Sequence, residues 1–163
     1  MSTGTAPAKK DISAEEGTTI AIEAATWKGT PYSLNGQASA KGIGGDCSGI
    51  TYRIYSAAHF PYPYLSSGTF RTDAVTNGLF RELAPTEAKQ DGDILSWPNH
   101  MAIYSTFAKD LDNATTARVT KSGSPWTQRN DMWTASHPGG PGFAAAEMRW
   151  WRSDAPKVFR YQK

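Results

Sequence analysis

The sequence contains one cysteine, three histidines and no long apolar run. A single cysteine excludes an internal disulfide, so a packed core has to hold the fold together. No apolar stretch approaches the roughly 20 residues that a membrane-spanning helix needs. The N-terminal part also lacks the basic segment and following apolar segment of a secretory signal, so we expect synthesis in the cytoplasm without a signal peptide.

The charge balance is close to neutral, with 17 Lys and Arg against 15 Asp and Glu, a net charge of +2. The longest basic run is Lys9-Lys10, which argues against a nucleic-acid partner. A chain of 163 residues is long enough for one domain with a real core. We expect a monomer in which residues 1–12 form a flexible tail and residues 13–163 form a single domain.

Local patterns predict helices in the first half of the chain and strands in the second. Ser13 and Glu16 have the spacing of a capping box, which predicts a helix over residues 13–28. Apolar residues at helical spacing predict a second helix from Cys47 to Ala58, with Asp46 as its N-cap. A short helix is predicted near residues 69–77. Strands are predicted at residues 93–97, 100–106, 117–121, 131–136 and 157–161. This order is typical of an α+β fold with helices packed on a mostly antiparallel sheet.

The only cysteine stands at the start of the second predicted helix, after Gly44, Gly45 and Asp46. Backbone N–H groups and the positive end of the helix dipole favour a thiolate there, so we expect a lowered pKa for Cys47. The same N–H groups can hold an oxyanion that forms beside the sulfur. The alternative interpretation is a small buried residue that caps a core helix.

A nucleophilic cysteine needs a base, and the chain offers His59, His100 and His137. His59 lies about 18 Å beyond Cys47 along an ideal helix, which is too far. His100 opens an apolar strand after a Pro-Asn turn and is the better candidate. His137 follows a predicted strand, where it either orients the first imidazole or is a plain loop residue.

Four stretches in this order resemble the NlpC/P60 family of papain-like cysteine peptidases. They are "GTPY" (29–32), "GGDCSGITYRIY" (44–55), "DGDILSWPNHMAIYS" (91–105) and "VFRYQK" (158–163). The resemblance implies a papain-like fold with Cys47 as nucleophile and His100 as base. It also implies that Tyr32, Asp46 and Ser48 contact substrate, and that no metal or cofactor is needed.

The resemblance also implies a polar third catalytic residue, but the chain departs from the family pattern after the histidine strand. A long segment, residues 109–133, lies between the histidine strand and the candidates for the third catalytic residue. His137 is the favoured candidate, since a ring nitrogen or its backbone could hold the His100 tautomer. Thr134 and Ser136 remain the alternatives.

The resemblance implies hydrolysis of peptidoglycan stem peptides, at the bond between D-γ-glutamate and meso-diaminopimelate. A small catalytic domain without an export signal further resembles antibacterial amidase effectors of type VI secretion systems. We therefore expect action in the periplasm of a target bacterium and a cognate immunity protein as partner. The alternatives are a housekeeping or phage-associated wall hydrolase, a thiol acyltransferase or deamidase, and a non-catalytic binding module.

Overall fold

The computed structural model describes residues 9–108, 131–135, 142–148 and 154–163. Within these ranges the α-helices are α1 Ala14–Thr26, α2 Cys47–Ala57 and α3 Phe70–Thr76. The strands are β1 Phe80–Glu82, β2 Ile94–Trp97, β3 His100–Tyr104, β4 Met132–Thr134, β5 Ala144–Ala146 and β6 Lys157–Tyr161. They form one sheet in the order β1-β6-β2-β3-β4-β5, and each neighbouring pair is antiparallel. The predicted α+β class, with helices on an antiparallel sheet, is confirmed.

Helix α1 begins with the capping box that the sequence predicts. The Ser13 N–H donates to Glu16 Oε1 at 2.9 Å, and the Glu16 N–H donates to Ser13 Oγ at 3.1 Å. These two bonds satisfy N–H groups that have no partner inside the helix. The helix ends at Thr26, with Trp27 as its C-cap, slightly before the predicted end at residue 28.

Two glycines let helix α1 approach the loop that leads into strand β2. A Cβ atom on Gly17 would overlap the carbonyl oxygen of Asp91, and one on Gly92 would overlap the backbone of Gly17. Gly92 also has a positive φ of 92°, which L side chains rarely adopt. Gly17 lowers helix propensity in α1, and the close contact explains why a glycine stands there.

Helix α2 packs its apolar stripe onto strand β3 and an aromatic cluster. Ile50 and Ile54 are fully buried, as the predicted spacing requires. Edge-to-face ring pairs connect the segment after α2 with α3 and the sheet, as between Tyr62 and Phe80 and between Phe70 and Phe159. Burying large aromatic rings in this way is a main source of stability, and it packs α3 and the segment after α2 against the sheet.

Successive residues of β3 lie on opposite faces of the sheet. Met101 and Ile103 lie in the core cluster under the helices. Ala102 and Tyr104 belong to a second cluster that also contains Leu95, on the opposite face because successive residues of a strand alternate. Both faces of the central sheet are therefore covered.

The strand predictions have mixed outcomes. β2 and β3 occur where predicted, joined by a turn at Pro98-Asn99 in which Asn99 has a positive φ of 60°. β4 lies inside the predicted strand at 131–136, and β6 has its predicted bounds. The predicted strand at 117–121 lies outside the described residues. Strands β1 and β5 were not predicted.

Residues 10–12 are part of the fold, so the prediction that the flexible tail extends to residue 12 is wrong. The Lys10 N–H donates to the Lys163 carbonyl at 3.0 Å, and the Lys163 N–H donates back to Lys10 at 2.9 Å. Asp11 forms a bridge with Gln162, and Ile12 is buried in the core. This segment pairs with the end of β6, which the sequence does not reveal.

A buried ion pair joins β6 to the start of β2. The Arg160 guanidinium donates to both oxygens of Asp93, at 3.0 and 2.8 Å, and to the Ala88 carbonyl at 3.0 Å. The Gln90 N–H also donates to Asp93. Burial raises the pKa of Asp93 even though Arg160 opposes the shift.

None of the described helices is long and apolar enough to cross a membrane.

Candidate active site

Cys47 and His100 line the same cavity, which has a volume of about 260 Å³. Cys47 is the first residue of α2, and His100 is the first residue of β3. Both side chains are largely buried, at 8% and 3% exposure. The other lining residues are Tyr32, Leu34, Asp46, Ser48, Ser67, Asn99 and Ala135. The fold thus brings together the predicted nucleophile, base and three substrate-contact residues.

Asp46 holds the start of α2 in place through both of its carboxylate oxygens. Oδ1 accepts the Gly49 N–H at 2.9 Å, and Oδ2 accepts the Gly36 N–H at 3.3 Å. A Cβ atom on Gly49 would overlap the Gly36 carbonyl and the Ser39 hydroxyl. The cap and the close approach together fix the helix end that carries the thiol, and they confirm Asp46 as the predicted N-cap.

The thiol of Cys47 has a raised pKa, which contradicts the lowered value expected from its place at a helix start. Burial is the largest cause, and the negative charge of Asp46 adds to it. The Met101 N–H, the Ser67 hydroxyl and the Ser48 N–H interact with the sulfur and act in the opposite direction. Desolvation of a thiolate in this buried position outweighs the donors around it.

His100 is held by contacts on its own hairpin and on the neighbouring strand. The Trp97 ring, opposite it across the β2–β3 turn, lies 5.8 Å away between ring centroids. His100 Nε2 lies 3.1 Å from the hydroxyl of Thr134 on β4. His137 and Ser136 lie outside the described residues. Thr134, the one candidate for the third residue that belongs to the described part of the chain, lies beside the imidazole.

Tyr32 is anchored beside the loop that precedes Cys47 by backbone pairing. It forms a bridge with Gly45, and the flanking Ser33 N–H donates to the Gly45 carbonyl at 3.0 Å. Burial raises the pKa of its phenol, and the nearby Cys47 and Asp46 raise it further. The phenol therefore stays protonated at neutral pH.

Ser48 lies at the wall of the cavity, but its hydroxyl has an internal partner. Its Oγ is 3.0 Å from the Tyr64 hydroxyl, and the side chain is only 4% exposed. A substrate contact by this hydroxyl would have to compete with Tyr64. The assignment of Ser48 as a substrate-contact residue therefore stays a prediction.

The cavity also contains residues that sequence analysis missed. Ser67 comes from the irregular segment before α3, where no periodic pattern marks a functional position. Asn99 was identified only as a turn residue, and Leu34 lies in a Gly- and Ser-rich loop with 80% of its surface exposed. Only the tertiary fold brings these three loops to one place.

Among the residues that the structure describes, no three His, Cys, Asp or Glu side chains form a group suited to a metal ion. The expectation that no cofactor is required stays a prediction.

Comparison with solved structures identifies the fold. NlpC1 from Trichomonas vaginalis superposes with a TM-score of 0.60 and 15% identity over 98% of this chain and 49% of that one. A Staphylococcus aureus protein of the NLP/P60 family, described as similar to lipoprotein, has a TM-score of 0.54 and 20% identity. That match covers 96% of this chain and 44% of the other.

The fold of this chain is therefore that of NlpC/P60 proteins. The chain spans about half the length of these two structures. No protein-family model and no curated protein matches the sequence.

Proposed function

We propose that the protein is a cysteine hydrolase that cleaves amide bonds in cell-wall peptides. The observation that carries this proposal is the shared cavity of Cys47 and His100, with a helix start on one side and a rigid hairpin on the other. A thiol and an imidazole that converge on one cavity have the arrangement needed for nucleophilic attack assisted by a base. The NlpC/P60 fold and the four ordered sequence stretches support the substrate class.

The raised pKa of Cys47 indicates how the reaction starts. At neutral pH the free enzyme holds the thiol in its protonated form, so the imidazole of His100 removes the proton as the sulfur attacks the substrate carbonyl. A sulfur–carbon bond forms, and the carbonyl becomes a tetrahedral oxyanion. The N–H groups of Cys47 and Ser48 precede the first intrahelical hydrogen bond, from Ile50 to Asp46, so they are placed to stabilise that charge.

Collapse of the oxyanion breaks the carbon–nitrogen bond, and the imidazolium of His100 gives its proton to the leaving amine. A water molecule, deprotonated by the same imidazole, then attacks the thioester carbonyl. This step releases the carboxylic acid and returns the proton to the Cys47 sulfur. The cycle needs only the thiol, the imidazole and water.

At finer detail, we propose the bond between D-γ-glutamate and meso-diaminopimelate as the site of cleavage. We also propose delivery into the periplasm of a rival bacterium, with an immunity protein that blocks the cavity. The resemblance of the four sequence stretches supports the first of these proposals, and the small size of the domain, which is similar to that of antibacterial amidase effectors, supports the second. Expression of the protein with a periplasmic leader tests the second: lysis by wild type and not by Cys47→Ala is expected, and survival with both proteins would overturn it.

Mass spectrometry of digested peptidoglycan tests the catalytic proposal. Purified walls of the diaminopimelate and the lysine type are incubated with wild type, Cys47→Ala and His100→Ala. Ser56→Ala, an exposed change on the far part of α2, is the matched control. New stem-peptide fragments from wild type and Ser56→Ala alone are expected, and their masses identify the bond. No release by wild type from either wall would refute a wall hydrolase and favour an acyltransferase, a deamidase or a binding module.

A further inference from the structure

Helix α3 carries a guanidinium that contacts strand β2 without a carboxylate to neutralise it. Arg71 Nη2 donates to the Ser96 carbonyl at 2.6 Å, which is the one side-chain hydrogen bond of Arg71 within the described ranges. In the same ranges Arg71 forms no ion pair. The side chain is half-buried, so water solvates this charge only in part.

Two buried polar atoms next to this contact have no hydrogen-bond partner among the residues that the structure describes. They are Arg71 Nε and Ser96 Oγ. Ser96 is fully buried, and its side chain lies on the helix side of the sheet, as that of Ile94 two residues earlier does. A buried polar group without a partner costs free energy. Both atoms therefore need a partner that the described side chains do not supply.

The chemistry of that partner follows from the two donors. A guanidinium Nε–H can only donate, and a serine hydroxyl has a hydrogen to donate. A water molecule could accept these hydrogens, but it would leave the charge of Arg71 unbalanced. An anion accepts both and balances the charge. Because both donors are closed to bulk solvent, the ion has to be small, and a phosphate ester is too large.

The positive charge distinguishes this pair from the other buried donors without a partner. Within the described ranges the others belong to neutral groups, namely the side chains of Ser33, Tyr62 and Trp133. A water molecule would satisfy each of those. Only at Arg71 does an unbonded donor belong to a cation.

We propose that Arg71 and Ser96 form a binding site for a small monovalent anion with the chemistry of chloride. Arg71 Nε–H and the Ser96 hydroxyl donate to the ion, and the guanidinium balances its charge. The ion enters along the guanidinium, which is half-buried and borders on solvent.

This site lies close to the thiol of the candidate active site. Ser96 pairs with Met101 across the β2–β3 hairpin, and the Met101 N–H interacts with the Cys47 sulfur. Ser67, four residues before Arg71, interacts with the same sulfur through its hydroxyl. An anion between α3 and β2 therefore joins the two segments that supply donors to the thiol. Its binding should stabilise both of them.

Thermal unfolding of the full chain tests the site without any substrate, so the result does not depend on the proposed hydrolase activity. Tm is measured in sodium chloride and in sodium gluconate at equal ionic strength, which keeps the screening of surface charges the same. Gluconate is too large for two buried donors. Chloride at about ten times its Kd should raise the Tm of wild type by about 3–6 °C over gluconate. Equal Tm values in the two salts at every concentration would overturn the proposal.

Variants separate binding at this site from general effects of the salts. Ser96→Ala removes one donor, Arg71→Met removes the charge, and both should lose the chloride-specific rise in Tm. Arg53→Met is the matched control, because Arg53 Nη2 also donates to a backbone carbonyl, that of Gln37 at 2.6 Å, but its Nε is not a buried atom without a partner. This control should keep the rise. If Arg71→Met does not fold, Ser96→Ala decides, and a rise equal to that of wild type would refute the site.

Anomalous diffraction from crystals soaked in sodium bromide locates the ion. We expect a bromide peak within hydrogen-bond distance of Arg71 Nε and Ser96 Oγ. No peak at this place, in crystals that show bromide elsewhere, would contradict the proposal. A peak without the chloride-specific rise in Tm would mean an adventitious ion only, and the proposal would then also be wrong.

Discussion

The Oδ1 atom of Asp46 accepts the N–H of Gly49 at 2.9 Å, so the carboxylate that caps helix α2 is one residue from the thiol of Cys47. The same charge that stabilises the helix start repels a thiolate. It therefore belongs with burial among the causes of the raised pKa of Cys47. Capping of the helix and ionisation of the thiol oppose each other in this arrangement.

Asp46→Asn should lower the pKa of Cys47, because the amide keeps an acceptor for the Gly49 N–H but removes the negative charge. A larger fraction of thiolate at neutral pH should make alkylation by iodoacetamide faster. The measurement is the alkylation rate as a function of pH, followed by mass spectrometry. Asp73→Asn, an exposed carboxylate on α3, is the control. An unchanged midpoint in Asp46→Asn would contradict the assigned role of the charge.

Gly49→Ala should destabilise the protein and reduce its activity. The new methyl group would overlap the Gly36 carbonyl and the Ser39 hydroxyl, so α2 would have to shift. Overpacking of this kind costs about 1–3 kcal/mol, which corresponds to about 2–4 °C in Tm per kcal/mol for a chain of this size. Thermal unfolding followed by circular dichroism tests it, with Ser56→Ala on the same helix as the control. Equal melting temperatures for the two variants would show that the contact is easily relieved.

Arg160→Met should destabilise the fold more than any surface change, because it leaves the buried carboxylate of Asp93 without its guanidinium partner. Removing one member of a buried pair costs about 3–5 kcal/mol. The double variant Asp93→Asn/Arg160→Met should recover much of this loss, since no uncompensated charge remains. Urea unfolding of wild type, the two single variants Asp93→Asn and Arg160→Met, and the double variant measures the coupling. Additive losses in the double variant would mean that the two side chains act independently.

Ser13→Ala should lower stability by about 1 kcal/mol, the usual effect of removing an N-cap side chain. It deletes the acceptor for the Glu16 N–H in the capping box. Ser13→Asp keeps an acceptor and should be close to wild type. Urea unfolding compares the three proteins, and equal losses in the alanine and aspartate variants would argue against a capping role.

Features coded by adjacent residues could be predicted from the sequence. The caps Ser13 and Asp46 and the apolar stripe of α2 are local, and the structure has them where they were expected. Strands β1 and β5 escaped prediction because each has three residues, and β5 consists of alanine alone, which has low strand propensity. Their pairing partners, not their own residues, make them strands.

The candidate site likewise combines features that adjacent residues encode with features that depend on the tertiary fold. Cys47 and His100 could be found because each stands at a recognisable start of an element. The contact of Thr134 with His100 depends on the register between β3 and β4, which the sequence does not encode locally. The direction of the Cys47 pKa shift was mispredicted for a related reason, since a helix start is a local feature and burial is a tertiary one.

The position of β6 between β1 and β2 has a consequence for synthesis. During translation, the hairpin that carries His100 emerges from the ribosome long before residues 157–161, which pair with β2 along its other edge. Until those residues emerge, the sheet has a gap beside the strand that supports the hairpin. Pairings between segments so distant in sequence also form slowly. We therefore expect the nascent chain to acquire an ordered cavity around Cys47 and His100 only after β6 has been made, so partly synthesised chains should lack this site.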